Sequence, residues 1–499
     1  PLLAPSIYVT VISDFNVRSY TLYNYYGGEV CEIPEELNVM YLNEDCFKDN
    51  TTVKRIILPK TLTEIPANAF SGCTNLEYIY IPSSCVAIMQ NAFSGCTSLK
   101  EIDLGKFENK RNDDDDDGNP TTGTLTVGRS AFANCTSLTT IKNPERLTGA
   151  FSNAFENCTS LESLDISGLR IAQSNLFAGC TNLTQVTMSS DTNLGAGIFA
   201  NCTSLESIVI KSSKVPDMAF YGCTNLKNVT FEGSVDYIGT QAFGGCSSLT
   251  KITLPGGTYT LGEDAFGGCT NLSEVTFSQG TKLQGDIILP FKNCTSLQSI
   301  EVNENNENYT SVGGVLYDKQ KTTVLLVPVL AAGYAIPDSV TKVGASAFAG
   351  NTNLTTIDLS RFEEIGAYAF AGTGLRNVTI PAVLTAIPDG MFAKANQLLE
   401  VNFVTGIQLT KIGDYAFENC NMLSQVVLPE TVTEIGDGAF LGCSAVRSIK
   451  LTNVQTIGSE AFSGTGISKI TAKNTTTLIV GAFWGRSSLV QADLGAITS

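Results

Sequence analysis

The sequence predicts an α/β solenoid, a long coil of short parallel strands, tight helical turns and irregular segments, and three observations predict it. The first is a phenylalanine that returns every 21 to 25 residues over most of the 499-residue chain. Phe47, Phe70, Phe93, Phe132, Phe155, Phe177, Phe199, Phe220, Phe243, Phe266 and Phe291 form one run, and Phe348, Phe370, Phe392, Phe417, Phe440, Phe462 and Phe483 a second. A fixed period between about 20 and 50 residues marks an array of stacked units. The second is the surroundings of each Phe: usually an Ala before it, a small-residue turn after it, then a short aliphatic run. The third is length. Single cores stop growing near about 250–300 residues, whereas an array has no such limit because each unit touches only its neighbours.

One unit shows the logic. In Asn68–Pro82, NAFSGCTNLEYIYIP, Ile79 and Ile81 are two apart, the period of a strand, so they point to one face and Tyr78 and Tyr80 to the other. Leu76 turns inward where the strand begins, and Pro82 removes a ladder donor and ends it. A loop and a second apolar pair, such as Val432 and Ile435, lead to the next Ala-Phe. Ala is small because coils stack closely, the Phe fills the space between the two faces, and the residues after it form one tight helical turn. Strand segments follow at this spacing from 53–58 to 297–302 in the first run, and from 354–359 to 489–494 in the second.

Taken from the N-terminus, residues 1–29 do not repeat. IYVTVI and YTLYNYY alternate enough to be strands, and they cap the array edge, with Tyr20, Tyr23, Tyr25 and Tyr26 covering the first unit. Residues 30–302 are the first block. Residues 303–335 interrupt the period: VLYDKQKTTVLLVP reads as two strands joined at Asp318–Lys321, a β-hairpin insertion. Residues 336–499 are the second block, where Trp484 is expected to cover the end. The chain has no initiating Met or leader pattern and stops partway through a unit. Pro1 is therefore expected to follow a removed leader or a cut, and the natural chain to continue past Ser499.

Composition excludes several classes. The formal net charge is −17 and histidine is absent. An acidic chain is a poor partner for nucleic acid or anionic membrane surfaces. Without histidine, most hydrolase triads and zinc sites are closed. No apolar run approaches the roughly 20 residues that span a bilayer, so no membrane insertion is expected, and a monomer is.

Twelve of the 15 cysteines stand three residues after a repeat Phe. Elsewhere that position holds Asn50, Asn351, Thr373, Ala395, Thr465 or Arg486. Exchange with Asn, Thr and Ala fits a small buried site better than a bridge or metal ligand. Stacked cysteines would have parallel Cβ vectors, which a disulfide does not favour, so structural free thiols are the expectation.

Two features are candidate sites. Asp113, Asp115 and Asp117, with Gly118, match the first half of a calcium loop. The twelfth position is Thr124 in place of the bidentate Glu, and the run lies in an insertion. A solvated, flexible loop is the first reading and calcium, the only cofactor considered, the second. The outward strand positions are the ligand-face candidates: Tyr78, Tyr80, Glu101, Asp103, Asp165, Gln185, Asn228 and Lys251 carry the expectation, set against the plainer reading that they pave a solvated sheet. Tyr78 and Tyr80 stand out because exposed aromatics concentrate binding energy. The Asn-x-Thr sequons at Asn134, Asn157, Asn201 and Asn293 follow from the repeat itself.

The motif AFxGCTxLxxIxIP, at Ala69–Pro82 and Ala242–Pro255, resembles the BspA-like, or treponemal-type, leucine-rich repeat, over about residues 30–499. The resemblance implies a leucine-rich-repeat horseshoe or right-handed superhelix with its parallel sheet on the concave face. It also implies a secreted or surface-attached bacterial protein, and the family offers no catalytic residues to carry over. The expected function is non-enzymatic recognition of a protein ligand in adhesion to host matrix or other cells. A glycan-binding module of a surface uptake system and a purely structural spacer stay open.

Overall fold

A computed structural model describes residues 14–106, 124–285, 289–478, 481–484 and 491–494. The chain forms two units, the first running to Leu272 with Leu283–Gly285 and Leu289–Asn293, the second comprising Ser273–Lys282 and the residues from Cys294.

In the first unit each coil lays down three backbone ladders. The face ladder places Val30–Glu32, Arg55–Ile57, Tyr78–Tyr80, Glu101–Asp103 and Thr140–Lys142 side by side, all parallel. It continues in the pairs Ser163–Asp165 with Gln185–Thr187 and Ser207–Ile210 with Asn228–Phe231. The second ladder runs through Glu64–Ile65, Ala87–Ile88, Leu125–Val127, Leu147–Ala150, Ile171–Ala172 and Asn193–Leu194. Strand alternation is as the pattern requires: Ile79 is fully buried between half-buried Tyr78 and Tyr80.

The third ladder is the Ala-Phe turn. It is tight, but it is not a helix. Amides alternate between their own coil and the next: Ser71 N–H bonds Asn68 O and Cys73 N–H bonds Phe70 O, while Phe70 N–H bonds Ala92 O at 2.8 Å and Gly72 N–H bonds Ser94 O at 2.8 Å. Left-handed residues every four positions, Asn68 at φ 59° and Gly72 at φ 74°, turn successive amides outward and forbid a helix. Among the described residues the only helical segments are 3-10 turns at Glu35–Leu37, Pro144–Arg146 and Leu289–Phe291.

The Phe rings stack between coils. From Phe47 to Phe291 neighbouring centroids lie 4.8–5.8 Å apart, close to the spacing of strands in a sheet. All 15 cysteines are buried free thiols. At the start of the array, Phe15–Arg18 and Thr21–Tyr25 form a hairpin whose second strand pairs in parallel with Tyr41–Leu42. Only one of the four capping tyrosines does the expected work. Tyr25 is buried, its ring 5.4 Å from Phe47, and its hydroxyl donates to Gly28 O and Val30 O; Tyr20, Tyr23 and Tyr26 are exposed. The IYVTVI segment lies outside the described residues.

In the second unit the insertion is a hairpin with one strand more than expected. Tyr309–Val312 pairs antiparallel with Val315–Asp318, which pairs antiparallel with Thr323–Leu326. Asp318 closes the predicted turn by accepting from Thr322 N–H at 2.7 Å and Thr323 N–H at 2.8 Å. Thr323–Leu326 then pairs in parallel with Lys342–Val343, so the hairpin feeds the second ladder. The face ladder resumes at Asn377–Ile380, Glu400–Phe403 and Gln425–Val426. The Phe stack runs from Phe348 to Phe483 at 5.2–5.9 Å. Trp484, expected to cover the end, is 71% exposed.

A strand lies inside every predicted face segment except 354–359, where none forms. The coil before it, 327–337, contains Pro328 and Pro337 and has no strand, so the segment has no partner on that side.

Candidate functional site

The outward side of the first face ladder carries four of the candidate residues, Tyr78, Tyr80, Glu101 and Asp103. Its register sets two columns across five strands: Val30, Arg55, Tyr78, Glu101 and Thr140 in one, and Glu32, Ile57, Tyr80, Asp103 and Lys142 in the other. Cross-strand neighbours in such columns are within side-chain reach. The Arg55 guanidinium lies over the Tyr78 ring, 3.8 Å from its centroid, a cation–π contact. Lys142 Nζ reaches diagonally to Glu101 Oε1 at 2.7 Å, and that bond raises the Lys142 pKa above its ordinary value. Burial, then the Asp103 carboxylate, pushes the Tyr78 phenol up. Tyr78 therefore stays a neutral donor at physiological pH.

Asp103 is committed locally. Its Oδ1 accepts from Gly105 N–H and from Asn143 Nδ2, each at 3.0 Å. Asp165 accepts from Ser167 N–H two residues on, at 2.9 Å. These carboxylates shape the turn after the strand, a role their i, i+2 spacing could have announced. Tyr78, Tyr80, Glu101 and Asp103 come together on one sheet. Asp165 and Gln185 lie on the next strand pair, Asn228 on the one after, and Lys251 on the strand Lys251–Leu254; these four are exposed and spread along successive coils. Asp113, Asp115 and Asp117 lie outside the described residues.

Two features escaped the sequence reading. Just before the face strands, Lys54 bonds Glu29 and Lys100 bonds Glu77, each at 2.8 Å; the alternation of sign at one repeat position was the available signal. The other is Arg146, fully buried. Its guanidinium donates to Pro82 O, Ser83 O, Cys85 O and Leu104 O, tying its own coil to two earlier ones. Arg361 precedes Phe370 by the same nine residues that separate Arg146 from Phe155, and it donates to Ile336 O, Pro337 O and Val340 O.

No helix of the described residues is long and apolar enough to cross a membrane, and no cluster of three or more potential metal ligands occurs among them. No curated protein matches the chain. Among solved structures it is similar to a leucine-rich repeat protein from Bacteroides ovatus (22% identity, 93% of this chain and 97% of that one, TM-score 0.44). It is also similar to one from Eubacterium ventriosum (24%, 65% and 84%, TM-score 0.45). A leucine rich cell surface protein from Faecalibacterium prausnitzii is a third (20%, 95% and 93%, TM-score 0.30). The model of the BspA type leucine rich repeat region matches residues 16–112, 120–215, 213–313, 332–421 and 363–491. The chain belongs to the BspA-type leucine-rich repeat family.

Proposed function

We propose that this chain is a non-enzymatic recognition protein of a bacterial surface, binding a protein ligand in adhesion through the outward face of Arg55–Ile57, Tyr78–Tyr80 and Glu101–Asp103. The observation that carries the reading is the patch itself. Two half-buried tyrosines stand among Arg55, Glu101, Asp103 and Lys142 on rigid strands, the mix of aromatic and charged groups that concentrates binding energy in protein interfaces. Solenoids of this family are typically non-catalytic, and the Faecalibacterium neighbour is described as a cell surface protein. A sugar-stacking role has less support, because Arg55 already covers one face of the Tyr78 ring.

The test is adhesion of beads coated with this chain to immobilised matrix proteins and to cultured cells, compared with the Tyr78→Ala/Tyr80→Ala variant. Saturable binding that falls at least tenfold in the variant supports the reading. Binding unchanged in the variant, or to glycans alone on an array, overturns it.

A further inference from the structure

Two cavities flank the stretch 354–362 in the second unit. One, of about 630 Å³, opens between Asp358–Glu363 and the strand Asn377–Ile380. The other, of about 310 Å³, lies toward Tyr334 and Ile336. Ile357, Asp358, Arg361 and Phe362 line both, so space lies on each side of a stretch whose repeat position belongs to a strand.

The backbone explains the gap. Asn377–Ile380 pairs with Glu400–Phe403 on one side. On the other, its coil is tied to the stretch by Arg376 N–H to Thr355 O, a long 3.4 Å bond, and no ladder follows. Asn377 and Thr379 line the cleft instead. An unpaired strand edge is a template for another extended chain.

Charge narrows the occupant. Bonds from Ser360 hold the Asp358 carboxyl below its usual range, its Oδ1 accepting from Ser360 N–H at 2.9 Å. Glu363 is the second lining acid. Arg361 is the only lining cation among the described residues, and its guanidinium is committed to the carbonyls of Ile336, Pro337 and Val340. Arg361 acts on Asp358 through its charge, but its donors are taken, and the carboxylates keep acceptor sites that a bound cation can use.

We propose that this cleft binds an extended, basic polypeptide segment, which lays its backbone along the open edge of Asn377–Ile380 and sets a Lys or Arg against Asp358. The site is separate from the tyrosine face.

The test uses the full chain and a fluorescein-labelled peptide, Lys-Thr-Val-Thr-Val-Thr-Lys, followed by anisotropy at physiological salt. Saturable binding is expected, at least tenfold tighter than for the same peptide with Glu for Lys, and at least tenfold tighter than for a backbone N-methylated version. Both changes sit on the peptide, so no folding defect mimics them. Asp358→Asn, which keeps the acceptor for Ser360, should weaken binding about tenfold, while Tyr78→Ala/Tyr80→Ala should leave it unchanged. No saturable binding, equal binding by Asp358→Asn protein (attraction to net charge alone), indifference to N-methylation, or displacement by a neutral oligosaccharide such as cellohexaose overturns the proposal.

Discussion

The thiol of Cys96 donates to the carbonyl of Phe70 on the coil before it, Sγ to O 3.1 Å. The same bond recurs from Cys135 to Phe93, Cys158 to Phe132, Cys180 to Phe155 and onward to Cys269 and Phe243, and again from Cys420 to Phe392 and Cys443 to Phe417. Each Phe carbonyl so placed also takes an amide bond from its own turn, as Phe70 O does from Cys73 N–H. The cysteine is small enough for a site with no exposure and brings a donor. At three positions that lack it another donor serves: Asn351 Nδ2 reaches Pro328 O, and Thr373 and Thr465 hydroxyls turn back to Phe370 O and Phe462 O; Ala395 brings none.

That arrangement orders a substitution series at one position. Cys158→Thr keeps a donor of similar size, whereas Cys158→Val fills the site without one. A buried hydrogen bond contributes about 0.5–1.5 kcal/mol net. Urea unfolding should therefore place the Val variant lower than the Thr variant by an amount in that range. Equal midpoints would remove the donor role and leave packing alone.

Burial also sets how the thiols respond to pH. It pushes the Cys180 and Cys223 thiols from 9.0 up to about 12. The unfolded chain releases these protons near the ordinary value and the folded chain does not. The folded state therefore holds more protons above that value, and stability falls as pH rises. The contribution is complete below about pH 9 and is lost between there and about pH 12. Unfolding midpoints should drop between pH 8.5 and 10 and recover on return to pH 7. A thiol reagent should label the native protein negligibly, since the thiolate is the reactive form. Rapid stoichiometric labelling without unfolding would contradict the buried ladder.

The same reasoning shows what was readable beforehand. The Phe period and the Ile79–Ile81 alternation encode stacking and strand faces directly, because each is a local pattern with one physical solution. The turn type was not readable, since Asn68 and Gly72 suit both a helix end and the left-handed positions they occupy. Arg146 and Arg361 gave no signal, because their partners are backbone carbonyls, which leave no trace in composition. Leu354–Leu359 has a strand pattern and no strand, because pairing depends on the coil before it and not on its own residues. Of the candidate site, the outward positions were legible from alternation. The Arg55–Tyr78 contact and the turn bonds of Asp103 needed the register.

Arg146 makes a sharp prediction about buried charge. Its guanidinium serves four carbonyls from Pro82 to Leu104 in a site with no exposure. Lys carries the same charge but lacks the planar fork. Arg146→Lys should cost about 1–3 kcal/mol, the range for leaving a buried polar group unpaired. The exposed Lys100 to Glu77 pair should matter far less, since such pairs contribute about 0–1 kcal/mol. Comparable losses for Arg146→Lys and Lys100→Ala would refute the clamp.

The aromatic stack should fail differently at its middle and at its start. Phe243 sits between Phe220 at 5.3 Å and Phe266 at 5.2 Å, so Phe243→Ala opens a cavity with coils on both sides and should cost about 3–5 kcal/mol. Tyr25 packs at a tilt against Phe47 at 5.4 Å, with Phe15 at the same distance from its ring. In a linear array stability is a sum of nearest-neighbour terms, so Tyr25→Ala should loosen the first coils and spare the rest. Hydrogen exchange read by mass spectrometry separates the two. Tyr25→Ala should speed exchange in residues 30–57 and leave peptides around Phe220–Phe266 protected, while Phe243→Ala should speed exchange on both sides of its own coil. Uniform acceleration along the whole first unit by Tyr25→Ala would mean that the unit melts as one block, and the coil-by-coil picture would be wrong.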